Sequence, residues 1–427
     1  MKLFLCIFQA IMCCFIAKEI YKVDKPNSVF FVALFAYSIF TEINYALYPD
    51  FIYEYVTITQ DIWYEFYIFI TLSLVSLYFF NYFLIRIKPH FVIQIFDTKS
   101  ALVRLSNVII FFYSSILIIA IYIIIDNWNF LSYASNILGN YSSQIAFARQ
   151  LNDWNVYYFL IMITAIKNTR YKDRFKRMML SISCLLCVIA LVLFTLVNGD
   201  RSVILLCFVG WFIYYFYDKP LNFQSISKMI PALSIVLLYL FYVRLFRNGI
   251  EFQYDYVETI LQDDYAFPGL TLLAAINDNF IQPFDVISAF VIKGSIIGSL
   301  FGSGDYLYWV LYENEFPMYI NQALATGANP GIGFHLFTEG YIFAGYFGFI
   351  YNGIFISILL RFWRHLYTTN DKQTNIVFAS IATGIFVIGV RSETAYFIRN
   401  FIFYMLPAIL LYLLACDKRI TVIFKRR

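Results

Sequence analysis

Residues 167–202 read KNTRYKDRFKRMMLSISCLLCVIALVLFTLVNGDRS, and this stretch decides how the whole chain is read. Lys167, Arg170, Lys172, Arg174, Lys176 and Arg177 stand against the single acid Asp173, and an apolar run from about 180 to 197 follows. An α-helix needs about 20 apolar residues to cross the hydrocarbon core of a bilayer, and a basic cluster at one end marks the cytoplasmic side. The run ends in the tight polar turn Asn198-Gly199-Asp200-Arg201, after which a second apolar run begins.

The rest of the chain repeats this pattern. Of 427 residues 61% are hydrophobic and 14% charged, with a mean hydropathy of +0.70. A soluble globular domain is about half apolar and about a quarter charged, so a soluble enzyme is excluded. Apolar runs at 3–18, 28–48, 62–85, 107–125, 154–166, 180–197, 203–217, 230–246, 342–360, 374–390 and 400–416 predict about eleven transmembrane helices. The expected fold is all-α, a polytopic membrane helix bundle in which 1–427 is a single integral membrane domain. No internal repeat of the inverted-transporter kind is visible.

Charge gives the orientation. Alternating the loops, with the one holding Lys18, Lys22 and Lys25 inside, puts 23 of the 31 Lys and Arg on the cytoplasmic face. Only Glu19, Asp24, Asp97, Asp173, Asp218, Asp371 and Asp417 join them, a net of +16, while seven bases and 20 acids give the outer face −13, Lys2 standing apart at the amino terminus. The amino terminus is then external, and the carboxy-terminal Lys425, Arg426 and Arg427 are cytoplasmic. The first apolar run has one basic residue and no small-residue cleavage pattern, so it reads as a retained span rather than a signal peptide. Cys6, Cys13, Cys14, Cys184, Cys187, Cys207 and Cys416 all fall in or at the ends of spans, which leaves none for an external disulfide. The C-x-x-C of Cys184 and Cys187 lacks the context of a zinc or redox site.

The external segment 247–341 is too long to be a connector, and long ordered loops are usually functional. Turns expected at Phe267-Pro268-Gly269, Gln282-Pro283 and Asn329-Pro330-Gly331 alternate with apolar pieces such as Val286 to Ile297, too short to span. A cap over an external cavity is the architecture this implies. The external bases are Arg149, Arg201, Arg244, Arg247, Lys293, Arg391 and Arg399, and arginine offers the planar fork that binds phosphate in bidentate fashion. Arg244 and Arg247 share a helix face at i, i+3. The ligand expected is an anionic headgroup or diphosphate at the outer leaflet.

A second candidate group lies in GIGFHLFTEGYIFAGYFG, residues 331–348. His335 and Glu339, at i, i+4, are expected on one helix face as a titratable pair, with Tyr341 next to them and Gly340, Ala344, Gly345 and Gly348 allowing close helix approach. The other histidines, His90 and His365, are cytoplasmic, so no histidine-rich external metal site is expected. There is no P-loop, no G-x-G-x-x-G after a strand and no cytoplasmic D-x-D. No cofactor and no nucleic-acid partner are expected, and an activated donor used outside would have to be lipid-linked.

Together these features resemble the O-antigen polymerase (Wzy) family of bacterial repeat-unit polymerases. The resemblance lies in the whole architecture and in three local patterns: the NGDRS turn with Arg201, the span entry TEGYIFAGYFG, and RSETAYFIRN with Arg391 and Arg399. It implies a GT-C-like bundle in the bacterial inner membrane that transfers a growing glycan from undecaprenyl diphosphate onto an incoming lipid-linked repeat unit. Diphosphate binding then falls to Arg201, Arg244, Arg247 and Tyr341, with Arg391 and Arg399 stabilising the leaving group and Glu339 or His335 as base. The implied partners are the undecaprenyl-diphosphate-linked oligosaccharide, membrane lipid and a chain-length regulator protein. An O-antigen ligase, which uses the same donor, is an alternative, and a flippase for lipid-linked oligosaccharide belongs to a different class.

Overall fold

The structure, a computed structural model, describes residues 2–47, 59–85, 91–97, 103–126, 143–168, 174–198, 201–219, 267–294, 335–368, 370–416 and 418–424, with a few isolated positions between 227 and 238. Helices dominate them: α1 (Lys2–Tyr21), α2 (Lys25–Leu47), α3 (Gln60–Ile85), α4 (Val103–Asp126), α5 (Ser143–Asn168), α6 (Arg174–Asn198), α7 (Arg201–Phe216), α8 (Phe267–Asn277), α9 (Pro283–Gly294), α10 (Thr338–Ala344), α11 (Gly348–Thr368), α12 (Lys372–Gly389), α13 (Ala395–Asn400) and α14 (Leu406–Ala415). Among the described residues, seven helical stretches are long and apolar enough to cross a membrane: Lys2–Tyr21, Lys25–Leu47, Asp61–Leu84, Arg174–Leu196, Thr338–Thr368, Lys372–Gly389 and Ala395–Ala415. The chain is thus a helical, multi-pass membrane protein. Helices α4, α5 and α7 also stand where spans were expected, and the run 230–246 lies almost wholly outside the described residues.

Surface chemistry follows the same logic. On α1, Phe4, Ile7, Phe8, Ile11 and Phe15 are exposed, while Cys6, Gln9, Cys13, Ile16, Ala17 and Ile20 are buried. A helix with one apolar face outward and small or polar residues inward suits lipid on one side and protein on the other.

The described chain forms two compact units, each built from separate segments. The first holds Met1–Pro89, Gln253–Arg364 and Ile385–Ile402. Its helices approach closely through small residues: a Cβ on Gly269 of α8 would collide with Thr41 of α2, and one on Gly353 of α11 with Ser76 of α3. Phe30, Phe386 and Phe397 meet edge to face or tilted, at 5.8–6.1 Å between centroids. At the other end of α2, Arg364 Nε lies 3.0 Å from Asp24 Oδ2, which joins the α1–α2 turn to the last turns of α11.

The second unit holds His90–Phe252, His365–Gly384 and Phe403–Arg427. Helices α4, α5 and α6 pack on one another, and α14 packs on α4 and α5. Polar pairs join them inside: Ser114 and Ser183 share a 2.6 Å hydrogen bond, and the Tyr113 hydroxyl donates to Asn155. Such bonds hold helices together where lipid supplies no hydrophobic drive.

Three expectations change. Phe267-Pro268-Gly269 is the first turn of α8 rather than a free turn, because proline is tolerated where a helix has no use for the N–H. The last span begins at Ala395, not 400, and passes through a π-helical turn at Phe401–Met405 before α14, where Pro407 removes a backbone donor from the ladder. The third adds one element to the helical bundle: β1 (Phe91–Asp97) and β2 (Lys418–Phe424) pair antiparallel, Phe91 opposite Phe424 and Asp97 opposite Lys418. Both segments, FVIQIFD and KRITVIF, are rich in β-branched and aromatic residues, which favours strands, and at seven residues each they are too short to span.

Ile93 and Val422 are direct partners in this sheet. Cysteines introduced at both should form an intramolecular disulfide on oxidation of the purified protein, read as a reducible mobility shift, whereas Ile93→Cys with Phe424→Cys, two residues out of register, should form little. Equal yields from the two pairs would refute the register.

Candidate functional site

The candidate site is built around the break between α10 and α11. Helix α10 ends at Gly345, whose φ of +58° is open to glycine and strained for other residues. A 3₁₀ turn, Gly345–Phe347, then turns the chain into α11. Gly340 and Gly348 face each other so closely that a Cβ on either would strike the other's backbone. The small residues singled out in the sequence thus permit a broken helix to fold against itself.

That fold buries Glu339, which is 2% exposed, among neutral donors. Its Oε1 accepts from Tyr351 Oη at 2.6 Å and from Thr394 Oγ1 at 2.6 Å, and its Oε2 accepts from the Thr394 backbone N–H at 2.7 Å. Three short bonds to one carboxylate are the charge-assisted kind. They tie TEGYIFAGYFG to RSETAYFIRN, so two of the three family-like patterns meet through a single side chain. The Leu336 N–H also donates to Val390 O at 3.3 Å.

His335 is not on the helix face of Glu339. Helix α10 starts three residues later, and the imidazole bends the chain back, its Nδ1 accepting the Phe337 N–H at 3.1 Å. That bond assigns the proton to Nε2, which donates to Ser38 Oγ at 2.9 Å, and Ser38 in turn donates to Leu34 O at 2.8 Å. The His335 backbone N–H is taken by Thr271 Oγ1 of α8 at 3.0 Å. With both ring nitrogens engaged and the side chain buried, desolvation pushes the pKa of His335 down to about 3. Neither member of the expected acid–base pair is a free base here: Glu339 is a clamp and His335 a neutral buried bridge.

Arg391 and Arg399 lie on the segment that Glu339 holds. The Arg391 guanidinium sits over the Tyr37 ring at 5.5 Å, and that of Arg399 over Tyr396 at 5.1 Å. Both are half-buried, and neither forms an ion pair among the described residues. A ring face attracts the cation without using the guanidinium N–H fork. Tyr37 and Ser38, neighbours on α2, therefore receive Arg391 and His335 respectively.

Tyr341 is a core aromatic. Its ring meets Phe69 and Tyr346 edge to face at 5.4 and 5.7 Å, and its hydroxyl reaches Asn279 Oδ1 at 3.4 Å. Arg201 is the first residue of α7 and belongs to the second unit. Arg244 and Arg247 lie outside the described residues, as does Asn329-Pro330-Gly331. Sequence reading missed Tyr37, Ser38, Thr271, Tyr351 and Thr394. Their signal was there: Ser38 and Thr271 are polar positions in apolar helices, which must find partners inside the protein.

Two outcomes follow. Glu339→Gln turns one acceptor into an NH₂ facing donors, so it should lower stability by about 1.5–3 kcal/mol through the lost charged bond, read as a drop in detergent Tm. An unchanged Tm would remove the clamp. For His335, the unfolded chain takes up a proton below the usual pKa of about 6.5, while the folded protein resists until about pH 3. Its contribution is whole above pH 6.5 and falls by about 1.4 kcal/mol per unit as pH drops toward 3. The wild type should therefore lose stability faster than His335→Gln on acidification from pH 6.5 to 4; parallel curves would place a protonated imidazole in the fold.

No protein-family model matches the chain, and neither does any curated protein or any solved structure.

Proposed function

We propose that this chain is a glycan polymerase of the bacterial inner membrane, similar to the O-antigen polymerase family, that works on lipid-diphosphate-linked repeat units at its external face. The observation that carries the reading is the pair Arg391 and Arg399, held on one clamped segment with only aromatic rings as partners among the described residues. A cation near apolar surroundings needs an anion, and two guanidinium forks on one segment suit a diphosphate.

In the proposed reaction a hydroxyl of the incoming lipid-linked repeat unit attacks the anomeric carbon of the growing glycan. The new glycosidic C–O bond forms as the bond to undecaprenyl diphosphate breaks, and the hydroxyl proton ends on the departing diphosphate. Arg391 and Arg399 stabilise the charge building on that leaving group. Glu339 is a positioning residue, since all its bonds go to Tyr351 and Thr394.

The orientation proposed, amino terminus out and carboxy terminus in across about eleven spans, has two supports. Strands that exchange hydrogen bonds have no bilayer between them, so the β1–β2 pairing is what cytoplasmic placement of both the loop after α3 and the tail requires. The Asp24–Arg364 pair does the same for the α1–α2 turn and the end of α11. Segment 247–341 would cap the external cavity. Its helices α8 and α9, of 11 and 12 residues, are too short to span.

Purified protein given lipid-linked repeat unit should produce a ladder of lengthened products. Lysine keeps the charge but loses the fork, so Arg391→Lys and Arg399→Lys should each lose most chain extension while keeping the wild-type Tm. Wild-type product length in both would return these arginines to headgroup anchoring and sink the proposal.

A further inference from the structure

Glu42 is an ionisable group that the proposed chemistry does not use. It lies on α2, is 0% exposed, and neither carboxyl oxygen has a hydrogen-bond partner. The side chains around it come from α1 and α3: Gln9 lies against it, with Cys6 and Cys13 on α1 and Tyr67 on α3 close enough to feel its charge. Helix α8 packs on α2 through Gly269 and contributes no ionisable residue between Phe267 and Asn277. His335 touches α2 one turn earlier, at Ser38, and Arg391 stacks on Tyr37. Lys2, at the start of α1, lies over the rings of Tyr45 and Trp63 at 4.3 and 5.4 Å. No cation among the described residues pairs with Glu42.

The amide of Gln9 is fixed in one orientation. Thr71 Oγ1 donates its proton to Tyr67 O at 2.8 Å, so it can only accept from Gln9, whose Nε2 approaches at 3.0 Å. Gln9 Oε1 is left as a buried acceptor without a donor. An unpaired acceptor therefore lies on the amide beside an unpaired acid. An isolated ionised carboxylate in such a place is far more costly than its neutral form, and one proton removes the charge. A hard metal cation would need roughly six oxygens, and only three unpartnered ones are present on these two side chains.

We infer that Glu42 is a proton-binding site inside the α1–α2–α3 packing, held as the neutral acid beside the Gln9 amide. The inference is independent of the polymerase reading.

The test is the infrared spectrum of purified protein at neutral pH, where a carboxylic acid shows a C=O stretch that a carboxylate lacks. Glu42→Gln, isosteric with the neutral acid, should lose one such stretch and no carboxylate band, at unchanged Tm. Gln9→Leu keeps the acid but removes the amide that lies against it, so the stretch should persist and move to higher frequency. Loss of a carboxylate band in Glu42→Gln with the acid region intact would overturn the inference, as would an unshifted stretch in Gln9→Leu. A Tm that rises with sodium chloride in the wild type but not in Glu42→Gln would assign a metal cation in place of the proton and overturn it equally.

Discussion

The carboxylate of Glu339 ties together segments 55 residues apart, through a backbone N–H and two hydroxyls, in a setting where water is not available to replace them. The placement of Arg391 and Arg399 depends on that tie. Without it the Thr394 N–H, in the turn between α12 and α13, would lie buried with no acceptor. With it the turn is anchored from one side by Glu339 and from another by the Leu336 N–H on Val390 O. The guanidinium groups then project from a backbone whose position is fixed, the condition for a bidentate grip on an anion.

A carboxylate and not an arginine partner does this work for a physical reason. An arginine bonded to Glu339 would have its fork filled and its charge cancelled. Glu339 is instead satisfied by neutral donors, and Arg391 is steadied by the face of Tyr37, which attracts charge without accepting N–H bonds in the guanidinium plane. Acid and base are thus kept on separate partners although Glu339 bonds the segment that carries Arg391. That separation is consistent with arginines whose anion is supplied from outside the chain.

Most of the fold was legible because bilayer thickness and helix rise impose one length scale on every span. The apolar runs at 3–18, 62–85 and 374–390 therefore fall on helices within a few residues. Legibility failed where local backbone chemistry overrides that scale. The spacing of His335 and Glu339 fits one helix face, but the imidazole bonds back to the Phe337 N–H and keeps the helix from starting until Thr338. Pro407 turns one expected span into a helix, a π-turn and a second helix. The β1–β2 sheet was missed because its strands sit in segments whose sequence reads as charged loop and tail, and their pairing is a contact across the whole chain. At the site the sequence picked out both segments, 331–348 and the one holding Arg391 and Arg399, as separate candidates; what joins them, Thr394 on Glu339, is a long-range bond that no periodicity encodes.

The same principle accounts for the polar residues of α2. Asn27, Ser28, Ser38, Thr41 and Glu42 are all buried on a helix long and apolar enough to span, and Asp24 is buried immediately before it. Asp24 meets Arg364, Ser28 reaches Ala17 O, Ser38 takes His335, and Thr41 returns to the Tyr37 carbonyl. The bonds of Asp24, Ser28 and Ser38 each fix one neighbour at one height, so the helix acts as a ruler against which α11, α1 and the segment before α10 are set. Only Glu42 departs from this scheme, with two oxygens and no partner for either. In a helix whose other buried polar groups each meet a donor or acceptor, that departure is best explained by a bound proton, the one partner that heavy-atom contacts do not display.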